Sequence, residues 1–418
     1  MSPRVNGASY EKYLLSDNPF PQSAVVKINE PDIRVNGSIF LESVFKEREI
    51  KSLREKFDNK TNMIYLAGLQ VEKGVGKSAL LVHEWRTLRD RPDIPSAYVR
   101  CAAAAPLNRV SGFCSSIVSE IHRGGWLWKA FERHMLAYCD EKTNLRIERA
   151  GLETMFRMLR WPVQRYSFNM YAHVTDAETL AKNFARWLGE KYGIEGETPL
   201  IFALCYLQDP SLFPSRFNSK SDDKVSMYES VLKILCSAGM TYSYFFLDQW
   251  EDAIISTSTS KIGEFSSEMR RMMEASINMA TVLVSLHPDS ERKLRTKSAE
   301  HLLAIAPMDG MHLVDVSKLD KISKYAVPLT EEYMKRFRTG EPSSPIFPFE
   351  PEVIQYACFV EDGRIRFFLQ RLHDCLTFAN QKGATVVNLN FILENHNSCM
   401  GTELNEKKLR AFKEAEGL

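Results

Sequence analysis

Residues 63–81 read MIYLAGLQVEKGVGKSALL, and this order of residues sets the architecture. Met63, Ile64, Tyr65, Leu66 and Ala67 are a short apolar run with strand character, a loop carrying Gly74 and Gly76 follows, and Lys77 and Ser78 open a helical pattern through Ala79, Leu80, Leu81 and Val82. Strand, glycine loop and helix in that order read, over the alternative of an ordinary glycine-rich turn that binds nothing, as a phosphate-binding loop. Its backbone N–H groups curl round a triphosphate at the positive end of a helix, while a lysine reaches the β and γ oxygens and a hydroxyl holds Mg²⁺. Glycine serves because a side chain would keep the backbone off the phosphates. Lys73, Gly74, Val75, Gly76, Lys77, Ser78 and Ala79 are therefore the expected nucleotide contacts, with Ser78 on the metal. The pattern departs at one place. Val71 stands where the motif has its first glycine, so the entry turn forms without it or with the help of Gly68 or Gly74.

A chain of 418 residues is long enough for two or three domains, and 44% hydrophobic with 26% charged residues is globular composition. The formal net charge of +1 excludes a polybasic tether as the dominant property, though a local basic patch still suits nucleic acid. No apolar run approaches the ~20 residues of a membrane span, and the start, MSPRVNGASYEKYLL, has no signal-peptide core. These features lead us to expect a soluble, cytoplasmic protein. The eight cysteines contain no Cys-x-x-Cys pair, which argues against a zinc ribbon and for reduced thiols used as small apolar residues.

Ahead of the loop, Pro19 and Pro21 flank Phe20 and impose an extended entry segment with an apolar anchor. Val44, Phe45, Ile50, Leu53 and Phe57 recur at helical spacing. Two readings of Val35 to Phe40 and Arg48 stand: a border to an adenine, or a packing segment. Behind the loop, a helix to about Leu88 precedes a second strand at Ala97, Tyr98, Val99, Arg100 and Cys101, and alternation of this kind marks a parallel sheet with crossover helices. From Val110 to about Lys224 the pattern is helical and too long for a simple connection, so we expect a helical insertion at about 106–224 whose aromatic residues form a core. Within it, Ser215 to Lys224 reads as a polar loop.

A second motif, TYSYFFLDQWEDA, delivers Asp248 at the end of the apolar run Tyr244 to Leu247. Open parallel sheets bind ligands at the carboxyl ends of their strands, so Asp248 is the expected partner of Mg²⁺ beside the phosphate loop. The next residue, commonly a glutamate that polarises the attacking water, is Gln249; either Glu251 substitutes as base or hydrolysis is slow. A third strand, Thr281 to Leu286, ends near Ser285 and His287, which fall near the γ-phosphate if this strand neighbours that of Asp248. His287, ahead of Pro288, reads equally as a residue held by a turn. Arg270, Arg271, Arg292, Lys293 and Arg295 are candidates to reach a nucleotide on another subunit, or else residues of a solvated face.

A last short strand within Met311 to Val316 closes the sheet, and helices alone follow. Gly363 precedes a helix led by Arg364 and Arg366, placed to fold back on a γ-phosphate and report its presence. The segment from Asn397 is polar, and either helical or loose.

With these elements placed, the chain resembles the AAA+ ATPases, and among them the origin-recognition, replication-initiator and transposition-regulator ATPases. The likeness rests on VFKEREIKSL, EKGVGKSALL, YFFLDQWED, VLVSLHPDSE and VEDGRIRFFLQRLHDCL, and covers about residues 33–110 and 225–395. It implies an α/β fold: a P-loop NTPase parallel sheet flanked by helices, with the helical insertion and a C-terminal all-α lid. The implied division is an entry segment at 1–60, a nucleotide-binding core at 61–318, a helical lid at 319–395 and a polar tail at 396–418. It also implies ATP and Mg²⁺, with Lys77 and Ser78 on the phosphates and metal, Asp248 on the metal, Ser285 or His287 sensing the γ-phosphate, and Arg366, ahead of Arg364, doing so from the lid. The expected function is an ATP-hydrolysing oligomeric switch in a nucleic-acid-associated process such as replication initiation, transposition or phage defence. Relatives that bind DNA directly often add a winged helix, which some twenty polar residues cannot form. The alternatives are a signalling or scaffold NTPase that docks a partner through its insertion, and a nucleotide-binding subunit that does not hydrolyse.

Overall fold

A computed structural model describes residues 9–23, 25–42, 46–68, 74–141, 177–219, 223–296, 299–320 and 324–417. Five strands, β1 (Met63–Ala67), β2 (Ser96–Arg100), β3 (Ser243–Asp248), β4 (Ala280–Leu286) and β5 (Leu313–Asp315), form one parallel sheet in the order β2-β3-β4-β1-β5, flanked by helices. Every residue of β1 and β4 is buried, as expected for near-continuous apolar runs covered on both faces. By density of internal contacts the chain divides into two compact units.

One unit comprises residues 55–65 and 84–313. Here β3 lies between β2 and β4, with Arg100 opposite Asp248 and Leu247 opposite Val284. The helices Val110–Arg123 and Trp126–Glu141 are separate because Gly125 turns the chain at φ +79, and a Cβ on Gly124 would sit 1.9 Å from the Trp126 ring. The helices Trp126–Glu141, Ala177–Tyr192 and Thr198–Gln208 share an aromatic core in which Phe131 meets Phe184 at 5.9 Å and Tyr206 at 5.6 Å between ring centroids. Met155, Phe156, Met158 and Trp161 of the expected insertion lie outside the described residues. Ser215 to Lys224 is not a loop throughout. Phe213–Ser219 is a helix, because Phe213 and Phe217, four positions apart, are both buried and meet at 6.0 Å between tilted rings.

The other unit comprises residues up to 54, then 66–83, then 314 onward. Its core draws Tyr13, Leu15 and Phe20 from the entry segment against Val353, Phe368 and Leu372 of the C-terminal helices. Phe20 stacks on Tyr333 at 6.2 Å, and the Asn18 amide donates to the His373 carbonyl at 3.0 Å. The apolar anchor between two prolines is thus a core residue. The polar segment at 396–418 is largely helical. Asn405 caps Glu406–Glu416 by accepting from the Lys408 N–H, and Phe412 is fully buried beside Tyr356 at 5.1 Å. All eight cysteines are free thiols. Among the described residues no helix is long and apolar enough to cross a membrane.

Candidate functional site

The expected site residues fall in two sets, one in each unit. The first surrounds the glycine loop. Gly74 and Gly76 have φ of +90 and +96, a left-handed backbone that side chains seldom adopt, and helix Lys77–Arg89 begins directly after them. The N–H groups of its first turn have no partner within the helix and lend it a positive end. Val75 and Lys77 are buried, and Ser78 and Ala79 are half-buried. Lys73 and Val71 lie outside the described residues.

The C-terminal helix Ile365–Gln381 meets this loop within the same unit. The Arg366 N–H donates to the Gly74 carbonyl at 3.1 Å, and a Cβ on Gly74 would lie 3.3 Å from the Phe367 ring and 3.4 Å from Arg366 Cβ. Arg364, by contrast, turns to its own helix start, donating to the Glu361 carbonyl at 3.1 Å with its guanidinium 4.6 Å from the Phe367 ring centre. Of the two candidate arginines, Arg366 is the one seated on the loop. Gly363 turns the chain into this helix at φ +72, and a Cβ there would lie 1.8 Å from the Leu319 carbonyl oxygen.

The second set lies at the carboxyl ends of β2, β3 and β4. Asp248 ends β3 and is 3% exposed; the Tyr98 hydroxyl donates to its Oδ2 at 2.6 Å, and the Cys101 N–H donates to its carbonyl at 2.8 Å. Burial, and then the Asp248 charge, push the Tyr98 hydroxyl well above the usual phenol range. Burial likewise raises the Cys101 thiol, with the charges of Asp248, Glu251 and Asp252 adding to it. Gln249 takes a left-handed backbone at φ +57, and its side-chain carbonyl accepts from Arg100 Nε. The chain then enters the helix Trp250–Ser256, with Trp250 fully buried between Tyr65 and Phe265.

Ser285 of β4 joins this turn. Its hydroxyl accepts from the Trp250 N–H at 3.2 Å and donates to the Glu251 carboxylate. The pairing of β4 with β3 therefore brings together two expected catalytic residues, Ser285 and Glu251, beside Asp248 in the chain. His287 is held in the turn that follows β4. It caps the helix Pro288–Leu294, its Nδ1 accepting from the Asp289 N–H at 3.3 Å while its own N–H donates to Ser290 Oγ at 2.9 Å.

The arginines considered for a neighbouring subunit hold local carboxylates: Arg270 with Glu274, Arg271 with Asp223, Arg292 with Asp289 and Arg295 with Glu291. The sequence did not reveal that Tyr98 and Arg100 bond to Asp248 and Gln249. Their significance depends on β2 pairing with β3, a parallel register that periodicity does not reveal. Among the described residues no group of three or more His, Cys, Asp or Glu side chains is arranged to hold a metal. Magnesium bound with a nucleotide asks for less, typically one or two protein oxygens besides phosphate oxygens and water, and a serine hydroxyl and a carboxylate are hard donors of that kind. Searches against protein-family models and against curated proteins find no match to the chain.

Proposed function

We propose that this protein binds ATP with Mg²⁺ and hydrolyses it as an AAA+ type switch. The observation that carries the proposal is the left-handed pair Gly74 and Gly76 opening helix Lys77–Arg89, next in the chain after a buried strand of a parallel sheet. That backbone suits the cradling of phosphates by main-chain N–H groups, with Lys77 neutralising the β and γ oxygens. Support from the other unit comes from β3, which ends in the buried carboxylate of Asp248. Mg²⁺ bound with the nucleotide would neutralise charge on the phosphate oxygens, and Ser78 and Asp248 are the residues that would hold it. Glu251, oriented by the Ser285 hydroxyl, takes a proton from water as the water oxygen attacks the γ-phosphorus and the bond to the β-phosphate oxygen breaks, releasing ADP and phosphate. Arg366 reports the γ-phosphate to the helix Ile365–Gln381.

The switch is proposed to assemble with its own copies or with partner subunits in a nucleic-acid-associated process such as replication initiation, transposition or phage defence, at DNA directly or through a complex. A second reading is favoured by Gln249. Its amide is no general base, and its carbonyl is bonded to Arg100, which suits a subunit that binds nucleotide and turns over slowly or not at all. A signalling NTPase that docks a partner through its helical insertion is the third. ATPase rate with and without duplex DNA, together with mass photometry in ADP and in a slowly hydrolysed ATP analogue, separates them. DNA-stimulated turnover with nucleotide-dependent assembly supports the switch, and assembly indifferent to DNA supports the docking NTPase. Turnover no greater than that of Lys77→Ala supports the non-hydrolysing subunit, and no uptake of adenine nucleotide ends all three.

A further inference from the structure

We propose that Tyr98 is a positioning residue for the metal, its hydroxyl fixing the carboxylate of Asp248 in the orientation from which it serves the Mg²⁺ of a bound nucleotide. The inference deepens the nucleotide site proposed above and rests on it.

The geometry is local to β2 and β3. Tyr98 stands opposite Phe246, two positions behind Asp248, so its side chain runs along the neighbouring strand to reach the strand end. Its hydroxyl meets Asp248 Oδ2 at 2.6 Å within buried surroundings, while the Trp85 ring, 5.6 Å away between centroids, packs against the Tyr98 ring. The main chain at the same point is tied by the Cys101 N–H to the Asp248 carbonyl at 2.8 Å. Strand β2 and the residue that follows it therefore fix both the backbone and the side chain of Asp248.

A short O–H···O⁻ bond to a carboxylate is among the stronger hydrogen bonds in proteins, and in a buried setting it selects one rotamer of the acceptor. A group that orients a metal ligand typically matters ~10- to 100-fold for metal affinity when it is removed. Tyrosine suits this position because its ring belongs to the core and only its tip carries the polar contact. Phenylalanine keeps the ring and its contact with Trp85 and deletes the hydroxyl alone.

The test uses the full chain and Mn²⁺ as the probe metal. Its binding is followed by electron paramagnetic resonance in the presence of a slowly hydrolysed ATP analogue, and the affinity for the analogue is measured separately in EDTA. Tyr98→Phe is expected to weaken Mn²⁺ binding ~10-fold while leaving the affinity in EDTA as in the wild type. On an Asp248→Asn background the same change is expected to add nothing, since the hydroxyl then has no metal-facing carboxylate to orient. A folded Tyr98→Phe with wild-type Mn²⁺ affinity overturns the inference, as do fully additive losses in the double variant. Should Tyr98→Phe lose its circular dichroism, Tyr98→Leu deletes the hydroxyl in its place, and a folded Tyr98→Leu with wild-type Mn²⁺ affinity overturns the inference as well. A wild-type chain that takes up no nucleotide removes the site itself. One that binds nucleotide and metal normally but is indifferent to Tyr98 leaves the site standing and removes only the role given to Tyr98.

Discussion

The backbone N–H of Arg366 donates to the carbonyl of Gly74 at 3.1 Å, so the first turn of a C-terminal helix is hydrogen-bonded to the glycine loop through the main chain. The backbone of Arg366 is thereby held at the loop. Any rearrangement of Gly74 on phosphate binding must lengthen, bend or carry with it this one bond.

Gly74→Ala tests how tightly that contact is set. A Cβ at φ +90 is strained by itself, and it would also press on the Phe367 ring at 3.3 Å. The strain of a non-glycine residue in such backbone is ~1–3 kcal/mol, so ATP affinity is expected to fall ~10-fold or more, measured by titration with a fluorescent nucleotide. Phe367→Ala on the same background relieves the steric part and is expected to recover some of the loss.

Glu251→Gln keeps the shape of the side chain and removes the base. Single-turnover hydrolysis followed by rapid quench is expected to drop ~10²- to 10⁴-fold with nucleotide binding retained. Ser285→Ala leaves the carboxylate in place but loses its hydroxyl donor, and a smaller fall is expected. Because Ser285 and Glu251 are bonded, the double variant is expected to be no worse than Glu251→Gln.

Acid sensitivity of the helical region follows from His122. Its Nδ1 lies 2.7 Å from the Tyr206 hydroxyl and its ring stacks on Phe213, and burial, with the charge of Arg123 adding, pushes its pKa down to about 4. In the unfolded chain the imidazole takes up a proton near pH 6.5, whereas the folded protein stays neutral there to about pH 4. The unfolded state therefore binds more protons across that window, and stability falls as pH drops through it, by up to ~3 kcal/mol from this group. Buried His134, whose pKa is also lowered, acts in the same direction. Urea unfolding at pH 7 and pH 4.5 is expected to show this loss reduced in His122→Gln.

Phe412→Ala examines the C-terminal helix. The ring is fully buried, 5.1 Å from Tyr356 and 5.6 Å from Phe359, and its removal is expected to cost ~3–5 kcal/mol in chemical denaturation. Hydrogen exchange should quicken in Pro351–Val360, the helix it covers. A solvated tail would show neither effect.

Much of the sheet was legible because its strands are short apolar runs with sharp ends. β1, β3 and β4 each stand out against polar flanks, and the glycines before Lys77 and before Arg364 mark turns that only they make without strain. Less visible was whatever depends on pairing across the chain. Tyr98 and Arg100 look like ordinary strand residues until β2 lies beside β3, and Ser285 gains its partner Glu251 only through the neighbouring strand. The helix Phe213–Ser219 was hidden by serines and asparagine around two core phenylalanines. Phe412 was hidden in the same way, as the one large ring in a charged stretch.

Asn18 bonds to His373 across 355 positions of chain, and Phe20 shares a core with residues still further from it in order of synthesis than any within the sheet. During translation these first apolar side chains emerge long before anything exists to bury them. That unit therefore closes only once the far helices have been made, and its early apolar residues stay unburied until then.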